Sequence, residues 1–347
     1  MKVFAGLNPG FYAGKTLLYT GRELIKHYAV SAVARHTPTF REQRETERQT
    51  WTINGQKLLI GSDAVQGGKS PEPQLSPSWY FDGAKLAPEK LSTEYLARLL
   101  HPFADQFPGQ TLTADVALAL PLNHYVGAWR KIRKLLIGQT FAMNTTRVTF
   151  ARVIVVEETL PPIYDYLLTF SPELGRVDQT EVQQAMARGE RHVFGVGAVG
   201  GKTAQAILYR KYEGEYDADV ASAQEKNIGM WNVIPELRNV LAARYPEQVN
   251  PGSSSWEVMR VLTSGVLATD TSVTDDVQSI IAGQAEHLLR FWRTVFGDGA
   301  GLFQLLLTGG SVEYQFRPYL DTAFPLTRVV FLDQWSVARG LLNLVKM

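Results

Sequence analysis

The stretch VFAGLNPGFYAGKTLLY, residues 3–19, carries the strongest indication of the fold in the sequence. It begins as an apolar run, turns at Asn8-Pro9-Gly10 and continues after Lys15 as an alternating run. A P-loop requires G-x-x-x-x-G-K-[ST] between a strand and a helix. Here Pro9 stands where the first glycine would be, and the residues after Lys15 alternate like a strand. The stretch therefore predicts two strands joined by a glycine turn.

A similar stretch, VFGVGAVGGKT, follows at residues 193–203. Both stretches open with Val-Phe, pass through a glycine-rich turn and end in Gly-Lys-Thr. The second also contains the G-x-G-x-x-G pattern of dinucleotide-binding folds, but the acids that follow, in residues 213–219, fall in an expected loop and not at a ribose-binding position. From the residues alone, two interpretations stay open: a pair of unrelated tight hairpins, or two copies of a duplicated unit.

The rest of the chain alternates between strand-like and helix-like segments. Asn54-Gly55 lies between two strand-like runs, which predicts a two-residue hairpin. Ser92 precedes apolar residues at helical spacing and predicts a capped helix, and further helices are expected over residues 123–138 and 273–296. Short apolar runs such as DVALALP are typical of buried strands. Strands separated by helices predict an α/β fold.

Composition narrows the functional classes. The 347 residues include 35 basic and 34 acidic side chains, so bulk charge indicates neither nucleic acid nor membrane as a partner. There is no cysteine, which excludes disulfides and thiolate chemistry and suits a reducing interior. No apolar run approaches the roughly 18 residues of a membrane span. We therefore expect a cytoplasmic protein without a direct nucleic-acid or membrane partner.

Two groups of polar residues have plain interpretations. The six histidines show no metal-ligand spacing, so no metal site is predicted. The basic cluster Arg130, Lys131, Arg133 and Lys134 is expected on a solvated helix face, with a contact to a neighbouring subunit or to DNA as the alternative.

Over nearly its full length the chain resembles the actin-like ATPases, particularly the plasmid-segregation proteins of the ParM and StbA type and their archaeal relatives. The family's first turn is typically Asp-x-Gly-x-x-x-x-Lys, and this chain has Asn8-Pro9-Gly10 through Lys15. The other matching segments, in the family's order, are the hairpin at Trp51, Asn54-Gly55, Gly61 and Ala64, then ALALPLNHYV (117–126), VIVVEETLPPIYDYLL (153–168), the turn at 198–205, LLLTGGSV (305–312) and SVARGLLNL (336–344).

The resemblance implies an actin-like, ribonuclease H-like duplicated fold: two α/β domains with a nucleotide cleft between them. Domain I would span residues 1–165, with a small insertion near 35–85, and would take back the C-terminal helix at 333–347. Domain II would span residues 166–332, with an insertion near 212–265.

The resemblance also implies a site for ATP, or another nucleoside triphosphate, with Mg. Glu158 stands where segregation actins can carry a glutamate that orients the attacking water. The residues expected to hold the nucleotide are Asn8, Gly10 and Lys15 in the first turn, Gly200, Gly201, Lys202 and Thr203 in the second, and Gly309, Gly310 and Ser311 in the adenosine turn. Ordinary solvated side chains remain the alternative for Glu158 and for both lysines.

The chain departs from the family at its carboxylates. Asn8 and Ala198 replace two expected aspartates, and Gln205 replaces a third acid. Carboxylates hold Mg²⁺ and organise the attacking water, so their loss is expected to slow hydrolysis by several orders of magnitude. Glycine amides and the lysines can still bind phosphate.

The implied function is a nucleotide-binding, filament-forming protein of the plasmid or chromosome segregation type, with weak or lost ATP hydrolysis. A homopolymer is the implied assembly, and a DNA-binding adaptor protein is the implied partner. Two alternatives stay open: an active ATP-driven segregation ATPase, and an actin-fold scaffold that binds no nucleotide.

Overall fold

The opening stretch forms the strand–turn–strand unit that its sequence predicts. In the computed structural model, which describes residues 1–10, 13–35, 49–62, 64, 90–186, 192–212, 215–267 and 270–347, strands β1 (Lys2–Asn8) and β2 (Ala13–Tyr19) pair antiparallel. No helix follows Lys15, so the P-loop interpretation is excluded. The chain divides into two compact units, Met1–Met186 with Trp335–Met347, and Ala187–Gln334.

The first unit is built on a six-stranded sheet of order β3-β2-β1-β7-β9-β8. Strands β1, β7 and β9 run parallel, so their carboxyl ends share one edge. After β1 and β2, the strands of this unit are β3 (Leu24–Val30), β4 (Val33–Arg35), β5 (Trp51–Ile53), β6 (Gln56–Ile60), β7 (Thr111–Leu120), β8 (Thr140–Met143), β9 (Thr146–Glu157), β10 (Leu168–Ser171) and β11 (Arg176–Gln179).

Helices cover this sheet because its buried strands are apolar on both faces. Among the described residues, the helices of this unit before the C-terminal one are α1 (Thr93–Gln106), α2 (Leu122–Leu136), α3 (Pro161–Leu167) and α4 (Glu181–Ala185). One face packs against α1 and α2, and its core includes the Phe103 and Phe150 rings at 6.1 Å. The Ser92 cap is confirmed, since its hydroxyl accepts from the Tyr95 amide at 3.1 Å.

A small three-stranded sheet of order β4-β6-β5 begins at Val33, just before the insertion expected near residues 35–85, and continues into it. The predicted hairpin at Asn54-Gly55 is confirmed: Ile53 pairs with Gln56, and both turn residues have positive φ, 49° and 78°. That geometry is the reason for the Asn-Gly preference. Most of the rest of this insertion, residues 36–48, 63 and 65–89, lies outside the described residues.

The sheet of the second unit repeats five of the six strands of the first sheet. Its strands are β12 (Val193–Val199), β13 (Ala204–Tyr212), β14 (Glu215–Lys226), β15 (Gln304–Thr308) and β16 (Val329–Phe331), in the order β14-β13-β12-β15-β16. As in the first unit, the opening strand pairs antiparallel with the next strand and parallel with a later one. This shared topology confirms the duplication and excludes a dinucleotide fold, because the glycine turn at residue 200 joins two antiparallel strands.

In the described part of the second unit, three helices lie between β14 and β15 along the chain, and a short fourth one lies between β15 and β16. They are α5 (Ile234–Arg244), α6 (Ser255–Ser264), α7 (Thr274–Phe296) and α8 (Arg317–Leu320), with a 3-10 turn at Met230–Val233 and a π-helical turn at Val312–Phe316. Trp292 of α7 is fully buried and donates its indole N–H to the Gln205 carbonyl at 3.1 Å. Residues 215–226, expected to belong to the second insertion, instead form a strand of the main sheet, so the helical segment starts after Lys226.

The last helix, α9 (Ser336–Lys346), belongs to the first unit. It covers the sheet face opposite α1 and α2, where Leu341 and Leu342 are buried. The Arg339 guanidinium forms a bidentate ion pair with Asp165 at 2.7 and 2.8 Å. The first unit also continues past residue 165, the expected end of domain I: the β10–β11 hairpin is tied to β2 by a bond from the Tyr19 hydroxyl to the Pro172 carbonyl at 3.0 Å.

Candidate functional site

The first turn lies at the carboxyl edge of the first sheet. Asn8 ends β1, pairs in register with Lys15 and is only 8% exposed. Gly10 has no room for a side chain, because a Cβ would approach the Ala13 carbonyl oxygen to 2.8 Å. The Ser31 hydroxyl donates to the Gly10 carbonyl and fixes the turn from the β3 side. The three residues predicted for this turn are therefore brought together; residues 11 and 12 lie outside the described part.

Lys15 carries the positive charge of this turn. Its Nζ lies 5.9 Å from the centre of the Tyr28 ring, and the side chain is half-buried. A cation over an aromatic face is attracted weakly at such a distance. The lysine is thus oriented by β3 at the same edge as Asn8.

Glu158 lies at the end of β9, on the same edge as the first turn. Its amide donates to the Leu120 carbonyl at 2.8 Å, just as β7 ends. Because β1, β7 and β9 run parallel, the ends of all three strands are neighbours at this edge. Glu158 is half-buried, so its carboxylate is partly accessible.

Glu157 is a further acid that the sequence interpretation did not single out. It is buried, and it lies near Tyr125 of α2. Burial raises the pKa of the Tyr125 phenol, and the negative charge of Glu157 raises it further. The alternation of side chains along β9 could have indicated that Glu157 is buried, because Val153 and Val155 face the core shared with α2 and Glu157 continues that face.

The second turn lies at the corresponding edge of the second sheet. It is closed by a bond from the Gly200 amide to the Thr203 carbonyl at 2.9 Å, and Thr203 is buried. Ala198 and Gln205, which stand where acids were expected, pair in register and are 5% and 1% exposed. No carboxylate therefore lies in this strand pair.

Residues 228–232, which we call the backing segment, contact the second turn from one side. Gly229 donates its amide to the Lys202 carbonyl at 2.9 Å, and the Trp231 amide donates to the Gly201 carbonyl. The sequence interpretation missed this segment. No local pattern indicates it, because the contact joins residues about thirty positions apart.

The adenosine turn contacts the second turn directly. Gly309 has φ 113°, a conformation that side chains rarely adopt, and a Cβ there would overlap the Val199 carbonyl oxygen. Its own carbonyl accepts from the amides of Val312 and Glu313 at 3.0 and 3.1 Å, which starts the following helical turn. Since β12 and β15 run parallel, both turns leave the same edge, and the predicted residues 200–203 and 309–311 are brought together.

The donor chemistry does not fit a magnesium ion held by the protein. Among the described residues, no group of three or more His, Cys, Asp or Glu side chains is placed to hold a metal. The first turn offers the Asn8 carboxamide, and the second turn has Ala198 and Gln205 in place of its two expected acids. A nucleotide would have to bring Mg²⁺ with its own phosphates and waters, which is how that ion commonly binds.

The predicted basic cluster lies on α2, whose four cations are exposed to solvent. Arg130 lies over the Trp129 ring at 5.1 Å, and the Arg133 Nε donates to the Val153 carbonyl at 3.2 Å. These contacts suit the solvated helix face that the sequence predicts.

None of the helices in the described ranges has the length and apolar character needed to cross a bilayer.

Comparison with known proteins gives matches among solved structures. No family model and no curated protein matches the chain. An archaeal actin homolog is similar over 99% of this chain and 98% of that chain, with 16% identity and a TM-score of 0.73. A ParM filament from Clostridium botulinum is similar over 99% of both chains, with 12% identity and a TM-score of 0.71.

A third similar structure is the ParM protein of Bacillus thuringiensis with ATP, which covers 99% of this chain and 98% of that chain at 13% identity and a TM-score of 0.67. The archaeal actin homolog has also been solved in complex with ADP. At these identities the likeness is one of fold. The chain therefore has the two-domain, actin-like α/β fold.

Proposed function

We propose that this chain binds a nucleoside triphosphate at its glycine turns and assembles into a homopolymeric filament of the segregation type. ATP hydrolysis is weak or lost. The two compact units serve as the two domains of the actin-like fold. A DNA-binding adaptor links the filament to its cargo.

The observation that carries the proposal is the contact between Gly309 and Val199. It holds the turn assigned to adenosine against the turn assigned to phosphate, within a single unit. Both turns present backbone at the carboxyl edge of a parallel strand pair, where open α/β sheets bind ligands. The ADP complex of the archaeal homolog and the ATP complex of the Bacillus thuringiensis ParM support a nucleotide as the ligand.

Weak hydrolysis follows from the replaced acids. Asn8, Ala198 and Gln205 are all buried and uncharged, so none of them supplies the negative charge that a carboxylate would offer to Mg²⁺ or to the attacking water. A lost electrostatic contact to a transition state typically costs about 10²–10³ in rate. Glu158 remains as the residue that would orient the attacking water, and the lysines of the two turns would neutralise phosphate oxygens.

Filament assembly rests on the shared fold and on what is known of the matched proteins. The Clostridium botulinum ParM was solved as a 15-stranded filament. Sedimentation with and without ATP tests assembly directly. We expect pelleted protein only with ATP; equal sedimentation in both conditions would contradict nucleotide-driven assembly.

Nucleotide binding is tested by thermal-shift titration with ATP, with and without Mg²⁺. A ligand at a hundredfold excess over its Kd stabilises the folded chain by about 2.7 kcal/mol. We expect a rise in Tm at micromolar to millimolar ATP. No rise at millimolar ATP would favour the non-binding scaffold.

Phosphate release separates a weak from an active ATPase. We expect a slow rate that falls further in Glu158→Ala and is unchanged in Glu173→Ala, an exposed glutamate of the same unit. A fast rate abolished by Glu158→Ala would instead identify an active segregation ATPase.

A further inference from the structure

The carbonyl groups of the second turn are directed by the backing segment. The Gly201 carbonyl accepts from the Trp231 amide, and the Lys202 carbonyl accepts from the Gly229 amide at 2.9 Å. The Asn232 side chain adds a bond from its Nδ2 to the same Lys202 carbonyl at 3.1 Å. Both carbonyls therefore point toward the backing segment.

The direction of these carbonyls determines the direction of two amides. A trans peptide is planar, and its N–H points away from its C=O. The N–H groups of Lys202 and Thr203 belong to the same peptide units as the two anchored carbonyls, so both project away from the backing segment. Successive amides with a common direction form a concave site for an anion.

The backing segment is itself held in place by α7. The Gln284 Nε2 donates to the Ile228 carbonyl at 2.8 Å and lies 3.4 Å from the Gly229 carbonyl. Gly229 is buried, and a Cβ there would lie 2.5 Å from the Gly201 carbonyl oxygen. The segment therefore approaches the turn as closely as a backbone can.

We infer that Asn232, with Gln284 behind it, is a positioning residue for the triphosphate: it orients the turn's amides toward the β- and γ-phosphates without touching them. This inference rests on the proposed nucleotide binding. Asn232 is the side chain in this network whose polar group bonds to the turn itself, and it is only partly buried. Replacing its donor by an acceptor repels the Lys202 carbonyl and rotates the peptide.

The test compares the affinities of AMP and ATP by calorimetry in the full chain. The affinity gained from AMP to ATP measures the contacts of the outer phosphates with the turns. We expect Asn232→Asp to reduce this gain at least tenfold and Asn232→Ala to reduce it about threefold. Asn239→Asp, an exposed asparagine on α5, makes the same change in charge and is expected to leave the gain unchanged.

Each outcome decides between the inference and its alternatives. If Asn232→Asp lowers the affinities for AMP and ATP by the same factor, or lowers only the midpoint of urea unfolding, the residue has a structural role. The inference is then wrong, while nucleotide binding stands. If the wild-type chain binds no nucleotide, the proposed function fails and the inference fails with it. Should Asn232→Asp not fold, the Asn232→Ala ratio decides.

Discussion

The two sheets share the same order over five strands but contact their covering helices differently. In the first unit, a Cβ at Gly6 of β1 would overlap the Ala338 carbonyl of α9, so backbone packs on backbone. In the second unit, a Cβ at Gly197 of β12 would lie 2.8 Å from the Trp292 ring of α7, so backbone packs on a side chain. One topology is therefore stabilised by two kinds of contact, of which only the second can adjust by side-chain movement.

Gly340→Ala in α9 is expected to destabilise the chain most. A Cβ there would overlap the Pro161 carbonyl of α3, so α9 and α3 would have to move apart. Overpacking typically costs about 1–3 kcal/mol and more where backbone must shift, so we expect a loss above about 3 kcal/mol in urea unfolding. Gly197→Ala is the matched change in the second unit.

We expect Gly197→Ala to cost less than Gly340→Ala, because the Trp292 ring and the Leu307 side chain can shift. Equal losses in the two variants would show that the distinction between backbone and side-chain contacts does not govern stability here.

The second prediction concerns acid, to which the first unit is the more sensitive. The His27 and His101 rings pack at 4.9 Å, and Trp51 packs on His101 at 4.7 Å. Burial lowers the pKa of both histidines, and Asp105 opposes the shift in both. For His101, burial and the neighbouring His27 imidazole together lower the pKa to about 4. The unfolded chain binds these protons near pH 6.5, before the folded chain does.

The stability contributed by the neutral histidines is therefore complete above about pH 6.5 and is lost as the pH falls toward 4, by at most about 3 kcal/mol for His101. Urea unfolding at pH 7.5, 6.5, 5.5 and 4.5 measures the loss. His101→Gln should flatten the dependence, and His287→Gln, an exposed histidine of the second unit, should not. If the unfolding free energy of His101→Gln depends on pH as steeply as that of the wild-type chain, the histidine cluster is not the cause of the acid sensitivity.

The third prediction restores a carboxylate to the first turn. Asn8→Asp keeps the size of the side chain and faces Lys15 across the strand pair. A carboxylate there can organise the waters of a magnesium-bound triphosphate. We expect phosphate release to increase at least about tenfold, which corresponds to about 1.4 kcal/mol. Asn239→Asp serves as the control. An unchanged or slower rate in Asn8→Asp would show that the missing carboxylate at position 8 is not the cause of weak hydrolysis.

The sequence predicted what local chemistry determines. Asn54-Gly55 forms its hairpin because both residues tolerate positive φ, and Ser92 caps its helix because its hydroxyl reaches the amide at Tyr95. The glycine turns and the strands on either side follow from the same kind of signal. These elements need no knowledge of distant residues.

The sequence did not predict what depends on close approach between distant segments. Gly229 and Gly340 are glycines because backbone from another part of the chain lies where a Cβ would be, and neither position has a turn-like local pattern. Strand β14 falls where the resemblance implies an insertion, and its polar residues, such as Asp217 and Asp219, give no local sign of a buried strand. Its pairing with β13 is what makes it part of the sheet.

The smallest expected effects come from one exposed helical glycine in each unit. At Gly127 in α2 and Gly283 in α7, a Cβ would have no neighbouring atom within 4 Å, so alanine fits both sites. Alanine is favoured over glycine in a helix by about 0.8–1.0 kcal/mol, and we expect the unfolding free energy of each variant to rise by about that much.

Because the two changes are chemically matched, they report which unit unfolds in which transition. If urea unfolding has two transitions, Gly127→Ala should raise the midpoint of only the transition whose midpoint falls at acid pH. Gly283→Ala should raise the midpoint of only the other transition. A single transition raised equally by both variants would mean that the two units unfold together, and the differences between Gly340→Ala and Gly197→Ala would then measure local packing within one cooperative structure.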